Sequence, residues 1–273
     1  MILQNLHTHT NFGDGRSTAE ETVRAALRLG MTSLGFSEHS PLLPPLDPDG
    51  WTMPPEDADA YRAEVLRLRE EYAGRLEIFL GLEQDVDSPA DSYPYDYVIG
   101  SVHNIWADGA YLSADHTGED FSNSVARHFG GDPYGFARTY FRRMASVVED
   151  TGCQIVGHLD LVAKFNQGGR YFDEADPRYL SAALEALEAI MAHDVIFEIN
   201  TGAMARGYRQ EPYPSAALLR AIHDRGGRIC VTSDSHSADT LLFAFPQARE
   251  LARSCGFRET WVLTKDGFIS QRL

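Results

Sequence analysis

Cysteine is scarce in this sequence. Three cysteines, Cys153, Cys230 and Cys255, occur among 273 residues, and no two of them form a Cys-x-x-Cys pair. An odd number of widely spaced cysteines argues against a disulfide framework and against a zinc site made of thiolates. We therefore expect all three to be reduced residues with a structural role.

Long apolar runs and an excess of basic residues are also missing. The sequence has no run of about 18 apolar residues that would span a bilayer, and it does not open like a secretion signal. Its 40 acidic residues outnumber 24 basic ones, and the net charge of −16 argues against general affinity for nucleic acid. We expect a cytoplasmic protein that acts on a small molecule and has no nucleic-acid or membrane partner. The oligomeric state stays open.

The chain is long enough to bury one large core. Hydrophobic residues make up 43% of it. An α/β barrel of this length ordinarily forms one domain. We therefore expect residues 1–273 to form a single domain.

Seven apolar segments with the character of strands alternate with helical patterns. A first strand starts at Met1 and is taken to run through His9, and further strands cover 32–37, 76–82, 96–102, 154–157, 195–200 and 228–233. Ser17-Thr18-Ala19-Glu20-Glu21 offers a capping box for the first helix, and other helices cover 58–73, 134–150, 177–193, 214–225 and a stretch from near Pro246. Strands that are apolar on both faces indicate a parallel sheet covered by helices. A (β/α) barrel is the natural closure.

Histidines and carboxylates stand at six of these strand ends. The candidate metal ligands are His7, His9, Asp14, His39, Glu83, His103, His158, Asp234 and His236. The catalytic residues of such barrels lie at the C-terminal ends of the strands. Nitrogen and oxygen donors without sulfur suit zinc, manganese or iron better than calcium. Nine donors fill two or three sites, and we choose Glu83 as the bridging ligand.

Closely spaced divalent metals indicate a class of reaction. They make hydroxide available near neutral pH, and they bind the oxygens of a phosphoryl group. The donor set therefore predicts phosphoester hydrolysis. Phosphate also needs positive charge, and the cations near strand ends are Lys164, Arg206 and Arg209.

Two segments outside the strands and helices are harder to interpret. Residues 40–56 are rich in proline and must form a loop, either a lid over a pocket or a segment packed on a neighbouring surface. Residues 104–132 are mixed, with a short helical piece near 121–129. We interpret His116 and His128 as surface residues.

Several motifs together resemble the PHP (polymerase and histidinol phosphatase) superfamily. They are His7-Thr-His9-Thr with Asp14-Gly15, Glu38-His39, Gly81-Leu82-Glu83, Gly100-Ser101-Val102-His103, Gly157-His158-x-Asp160 and Ser233-Asp234-x-His236. Ile99-Gly100-Ser101-Val102-His103, Glu198-Ile199-Asn200-Thr201 and Glu211-Pro212-Tyr213-Pro214-Ser215 resemble the histidinol-phosphate phosphatase branch. The resemblance covers essentially the whole chain.

This resemblance implies a distorted, TIM-like (β/α)7 barrel of the PHP type with a trinuclear metal centre. By position, His7, His9, Glu83 and Asp234 would hold the first metal, Glu83, His103 and His158 the second, and Asp14, His39 and His236 the third. The implied reaction is hydrolysis of L-histidinol phosphate to L-histidinol and phosphate, by attack of a metal-bridging hydroxide. Asp160 or His236 would pass a proton to the leaving alkoxide, and Arg206 would hold the phosphate.

Other functions stay open at this point. A PHP phosphoesterase acting on another small phosphomonoester or on nucleic acid would use the same metals, and so would the protein-tyrosine phosphatases of the superfamily. Metal-dependent amidohydrolases also carry His-x-His on a first barrel strand, but they usually bridge their metals with a carboxylated lysine at a middle strand end. Here Glu83 would supply the bridge, and the nearest lysine, Lys164, lies six residues beyond His158, so this alternative ranks low. A metal-binding module without catalysis is the remaining alternative.

Overall fold

Strands and helices alternate through residues 2–273, the part of the chain that the computed structural model describes. The strands are β1 Gln4–Asn5, β2 Ser33–His39, β3 Glu77–Asp85, β4 Tyr97–Ser101, β5 Asn104–Ala107, β6 Ala110–Ser113, β7 Ile155–Val156, β8 Ile196–Asn200, β9 Arg228–Thr232, β10 Glu259–Thr264 and β11 Gly267–Arg272. The α-helices are α1 Ala19–Arg28, α2 Ala58–Glu71, α3 Gly118–His128, α4 Pro133–Met144, α5 Val147–Thr151, α6 Pro177–Ile190, α7 Gly202–Ala205, α8 Ala216–Asp224 and α9 Phe245–Ser254.

Seven of the strands form one sheet that curves into a nearly closed barrel. Their order is β1-β2-β3-β4-β7-β8-β9, and each neighbouring pair is parallel. Between β9 and β1 the sheet closes through a parallel bridge from Thr8 to Ser235, where the His9 N–H donates to Ser235 O at 2.8 Å. The predicted distorted (β/α)7 barrel is confirmed.

Side-chain amides complete the seam between the first and last barrel strands. Asn5 Nδ2 donates to Ser233 Oγ at 2.8 Å, and Asn5 Oδ1 accepts from the Ser233 N–H at 3.1 Å. Gln4 makes the same kind of two-way contact with the backbone of Leu263 in β10, with both distances 2.8 Å. Three of these four contacts pair backbone groups that no strand ladder pairs at this point.

Replacing Asn5 by alanine is expected to lower the free energy of unfolding by about 2–4 kcal/mol. Asn5 Oδ1 accepts from the backbone N–H groups of His7 and Ser233, and each buried N–H left without an acceptor costs about 1–3 kcal/mol. Urea unfolding measures the loss. Asn11 is exposed, so Asn11→Ala is the control and should change stability by less than about 0.5 kcal/mol. Equal stability of the two variants would contradict the role given to the seam.

The barrel interior below the strand ends is filled by apolar side chains. This inner cluster contains Leu6, Phe79, Tyr97, Ile99, Ile155, Ile196, Cys230 and Leu263. The Tyr97 hydroxyl donates to the carbonyls of Leu6 and Phe36. A Cβ built on Gly35 or Gly81 would lie 2.3 Å from an atom of the Tyr97 side chain, so both strands need glycine there. The Tyr97 ring therefore lies across the barrel interior and closes it below the strand ends, and we call it the Tyr97 floor.

The helices pack outside the sheet around two further cores. One lies beneath α4, α6 and α8, and the other lies beneath α1 and α2. Thr18 caps α1, and Thr18 and Glu21 form the reciprocal bonds of a capping box, as the sequence predicts. The three cysteines are free and buried. Within residues 2–273, every helix is too short or too polar to cross a membrane.

Two local predictions were wrong, and one hairpin was not predicted. The strand expected to run through residue 9 ends at Asn5, and only Thr8 pairs beyond it. Residues 104–113 form the hairpin β5–β6, whose turn residues Asp108 and Gly109 have positive φ, the usual geometry of an Asp-Gly hairpin turn. The helix expected over 134–150 is interrupted near Ser146, whose hydroxyl donates to the carbonyl of Arg143.

Candidate metal centre

The strand ends bring all nine predicted ligands to the mouth of the barrel. Their donor atoms form four overlapping groups, and within each group the atoms lie within 4.8 Å of one another. These groups are His9 with Asp14, His39 and His236; His7 with Glu83 and His158; His7 with His9 and Asp234; and His39 with Glu83 and His103. We call these nine residues the donor cluster.

Glu83 lies at the centre of the donor cluster. It is buried on β3, and its carboxylate faces the rings of five histidines. Oε2 lies 3.1 Å from His7 Nε2, 3.4 Å from His9 Nε2 and 2.8 Å from His39 Nδ1, while Oε1 lies 3.0 Å from His158 Nε2 and 3.6 Å from His103 Nε2. Burial alone would raise the pKa of Glu83, but the surrounding imidazoles hold it well below its usual value.

The donor set fits divalent cations. Several buried atoms that face the middle of the cluster have no hydrogen-bond partner among the described residues, including His7 Nε2, His9 Nε2, Glu83 Oε2 and Asp234 Oδ1. A buried polar atom without a partner is costly, and such exceptions in native proteins call for an ion, a water or a catalytic role. Imidazole and carboxylate donors at this spacing suit zinc, manganese or iron.

The grouping of the donors agrees only in part with the grouping that the resemblance implies. The structure puts His7, His9 and Asp234 in one group and Asp14, His39 and His236 in another, as implied. In contrast, His103 and His158 fall in separate groups, each with Glu83. Their ring centroids are 5.1 Å apart.

The most exposed donors are Asp14 and His236, which follow the first strand and β9 in the chain. Asp234 has a φ of 46°, a left-handed conformation that Asp adopts more readily than most residues. Asp14 is 36% exposed and lies 3.2 Å from His236 Nε2. Although burial raises the pKa of Asp14, its hydrogen bond with His236 and the charge of His39 hold it well below the usual range.

Arg206 is the candidate cation that lies beside the donor cluster. Its Nη2 donates to Asp234 Oδ2 at 2.9 Å, and its Nη1 lies 2.9 Å from His236 Nδ1. Lys164 instead donates to Asp115, and Arg209 donates to Ala163 O and Glu174.

Asp160 does not join the donor cluster. Its carboxylate is fully buried, and Oδ2 accepts from the backbone N–H of Ser215 at 2.9 Å. Burial raises the pKa of Asp160 to about 6. The expectation that Asp160 passes a proton to the leaving alkoxide stays a prediction.

A cavity of about 310 Å³ opens above the cluster. Its lining residues outside the cluster are Asp49, Trp51, Ser113, Asp115, His116, Leu161, Lys164, Arg206 and Tyr208. The Trp51 ring lies 4.7 Å from the ring of His39 and 5.0 Å from that of His103, measured between centroids. Of the two interpretations of segment 40–56, the structure therefore favours a cover over the site.

His116 and His128 differ in their relation to the site. His116 is exposed, as expected, but it lines the cavity rim and its Nε2 lies 3.3 Å from Asp49 Oδ2. His128 pairs with Asp108 of the β5–β6 hairpin. Asp115 also lines the cavity; burial raises its pKa, but the charge of Lys164 lowers it, to about 2.

Two buried carboxylates behind the ligands were missed in the sequence. Asp85 Oδ2 lies 2.8 Å from His103 Nδ1, and Glu198 Oε2 lies 2.8 Å from His7 Nδ1. The signal for Asp85 was its position two residues after Glu83, on the same face of β3. Glu198 was noted only as part of a motif.

Comparison with known proteins shows which proteins this chain is similar to. Residues 5–202 match the family described as PHP domain. A protein from Deinococcus radiodurans named "Probable histidinol-phosphatase" is 33% identical, over 92% of this chain and 93% of that one. One from Bacillus subtilis named "Histidinol-phosphatase" is 28% identical, over 88% and 95%. The structure of histidinol phosphate phosphatase from Lactococcus lactis, complexed with zinc, L-histidinol and phosphate, shares the fold at a TM-score of 0.68 and 22% identity over 98% of both chains.

Proposed function

This chain belongs to the PHP domain family, and from that premise we propose that it hydrolyses L-histidinol phosphate to L-histidinol and phosphate. The observation that carries the proposal is the similarity, over 92% of the chain, to the relative named "Probable histidinol-phosphatase". The convergence of nine nitrogen and oxygen donors supports it, because phosphomonoester hydrolysis is chemistry that such a metal centre performs.

We propose that two or three divalent ions, zinc, manganese or iron, bind at the donor cluster. One would be held by His7, His9, Glu83 and Asp234, one by Glu83 with His103 and with His39 or His158, and one by Asp14, His39 and His236. Bound ions would lower the pKa of water toward neutrality and neutralise charge on the phosphoryl oxygens. The zinc in the Lactococcus lactis structure supports zinc among these three metals.

The chain's own residues would orient the phosphoryl group. Asp234 holds the Arg206 guanidinium at the cavity wall, and the Arg206 side chain keeps 30% of its surface exposed there. A guanidinium offers several N–H donors in one plane, which suits phosphoryl oxygens. His236 has Nε2 toward Asp14 and Nδ1 toward Arg206 and the carbonyl of Asp234, so we propose a ligand role for it rather than that of a proton donor.

Acidic and imidazole side chains that line the cavity outside the donor cluster would receive the rest of the substrate. L-histidinol carries an amine and an imidazole, which require acidic or hydrogen-bonding partners. Asp49 and His116 lie at the rim of the cavity, and Asp115 lies on its wall. We propose that the amine and imidazole lie toward these residues.

The test is phosphate release by the purified protein reconstituted with manganese, zinc or iron. L-Histidinol phosphate is compared with a panel of other phosphomonoesters and a short DNA. A strong preference for L-histidinol phosphate is expected. Hydrolysis of the other esters at equal or higher kcat/KM would move the function elsewhere in the family, and no release from any substrate would favour an amidohydrolase or a binding module.

Replacing Arg206 by lysine is expected to lower kcat/KM about 10- to 100-fold. Hydrogen bonds to charged groups contribute about 1.5–3 kcal/mol, and each 1.36 kcal/mol is tenfold in rate. Initial rates measure the loss, and elemental analysis shows whether the metal content is unchanged. Arg170 is exposed and stacks on Tyr171, so Arg170→Lys is the control and should keep wild-type rates. A wild-type rate in Arg206→Lys would exclude Arg206 as the residue that holds the phosphate.

A further inference from the structure

Glu198 joins four elements of the barrel mouth without being part of the donor cluster. It is buried on β8 and accepts four hydrogen bonds. Oε1 accepts from the His158 backbone N–H at 2.7 Å and from Asn200 Nδ2 at 2.8 Å, while Oε2 lies 2.7 Å from Thr232 Oγ1 and 2.8 Å from His7 Nδ1. All four contacts reach the same carboxylate in a site closed to solvent.

The two groups at Oε1 can only donate. The His158 contact is a backbone N–H, which has no other role. The Asn200 amide is oriented by its own oxygen, which accepts from the Gly202 N–H at 2.8 Å, so its nitrogen must face Glu198. The side-chain atom at the position of Glu198 Oε1 must therefore be a hydrogen-bond acceptor.

The contacts at Oε2 determine which His7 nitrogen carries the proton. A carboxylate oxygen only accepts, so the neutral His7 ring must carry its proton on Nδ1 to bond there. Its Nε2 then has a free lone pair, which faces Glu83 Oε2 at 3.1 Å and Asp234 Oδ1 at 3.7 Å. That nitrogen has no hydrogen-bond partner among the described residues.

We propose that Glu198 is a positioning residue that fixes His7 in the Nδ1–H tautomer and so presents the Nε2 lone pair to a metal ion. The inference rests on the proposed metal centre and not on the identity of the substrate. Carboxylates behind ligating histidines set the tautomer and the ring orientation, and their loss typically weakens metal binding 10- to 100-fold.

The variant Glu198→Gln should reverse this tautomer while keeping the shape of the side chain. Its amide oxygen must lie toward His158 N–H and Asn200 Nδ2, because both groups donate. Its NH2 group then faces His7 Nδ1 and Thr232 Oγ1, so both of these must accept. The His7 proton moves to Nε2, where it blocks the metal-facing lone pair.

The experiment compares the wild type, Glu198→Gln and Thr232→Val by two measurements. Competition with a chromogenic chelator measures zinc affinity, and long-range proton–nitrogen NMR spectra of protein labelled with ¹⁵N-histidine report which nitrogen of His7 carries the proton. Glu198→Gln should bind zinc about 10- to 100-fold more weakly and show the Nε2–H tautomer. Thr232→Val removes one bond of the same network but leaves the carboxylate, so it should keep the Nδ1–H tautomer and bind zinc within about threefold of wild type.

Three results would overturn the inference. One is a wild-type His7 with its proton on Nε2, which needs no folded variant to detect. Another is a folded Glu198→Gln protein with unchanged zinc affinity. The third is an equal loss of zinc in Thr232→Val, which would assign Glu198 a purely structural role. Neither measurement involves a substrate, so failure to hydrolyse L-histidinol phosphate would leave the inference standing.

Discussion

The variant Glu83→Gln is expected to lower kcat for L-histidinol phosphate by about a thousandfold or more. Charge stabilisation by bound metal is worth several kcal/mol, and a loss of about 4 kcal/mol corresponds to about three powers of ten in rate. The variant should also retain less metal after dialysis than the wild type. The effect is large because one side chain faces five histidines.

A glutamine is a poor substitute because it loses both the charge and one acceptor. The Ser101 hydroxyl already donates to Glu83 Oε1, and His158 Nε2 lies 3.0 Å from the same oxygen. An amide NH2 at either position would present protons to the nitrogens that are free to bind metal. The size of the side chain hardly changes, so a loss of activity would reflect chemistry and not packing.

Steady-state kinetics and elemental analysis test this prediction together. Glu77 lies at the exposed start of the same strand β3, and Glu77→Gln is the matched control that should keep wild-type activity and metal content. If Glu83→Gln kept wild-type activity, the bridging role would be wrong. If it lost activity but kept its full metal content, Glu83 would act in catalysis without holding metal.

The variant Gly81→Ala is expected to lower the free energy of unfolding by about 3 kcal/mol or more. A Cβ at Gly81 would lie 2.3 Å from Cζ of Tyr97, and the hydroxyl on that carbon is held by its bonds to Leu6 O and Phe36 O. Overpacking in a core typically costs about 1–3 kcal/mol, and more where the neighbours cannot move. In a strand without this contact, alanine would stabilise relative to glycine by about 0.5–1 kcal/mol. A decrease in the free energy of unfolding would therefore indicate the clash with Tyr97, and an increase would indicate that the clash is absent.

A double-mutant cycle with Tyr97→Leu identifies the cause. Leucine removes the ring atoms that a Cβ at Gly81 would meet, so the same substitution should cost less in the Tyr97→Leu background. Contacting residues couple by about 0.5–3 kcal/mol. Urea unfolding of the four proteins measures the coupling, and strictly additive losses would show that Tyr97 does not make Gly81 necessary.

The barrel fold and the proximity of the donor residues could both be predicted from the sequence, for the same physical reason. Parallel strands place all their C-terminal ends at one mouth, so His7 and Asp234 lie close together although they stand at opposite ends of the chain. The β5–β6 hairpin was not predicted because its strands have only four residues each, too few to show a clear alternation of apolar and polar residues. Its Asp108-Gly109 turn was the available signal.

The functions of buried carboxylates were less accessible from the sequence. Glu198 stands 191 residues from His7, and nothing in an apolar strand tells which ring its carboxylate will meet. Asp160 illustrates the same limit. It follows a strand in a motif shared with His158, but the chain turns into a short 3-10 helix there and its carboxylate caps the backbone of Ser215. Residue type and spacing predicted the neighbourhood and not the direction of each side chain.

For ions bound at the donor cluster as proposed, the Tyr97 floor would limit the route of exchange. The aromatic ring and the apolar side chains around it fill the barrel below the donor cluster, so an ion that enters or leaves has to pass the open side of the cavity, beside Trp51 and Arg206. A chelator must approach by the same route. The rates at which metal ions bind and dissociate would then depend on segment 40–56, whereas the equilibrium affinity for metal would depend on the donors. A substitution at Trp51 would therefore change these rates without changing the affinity.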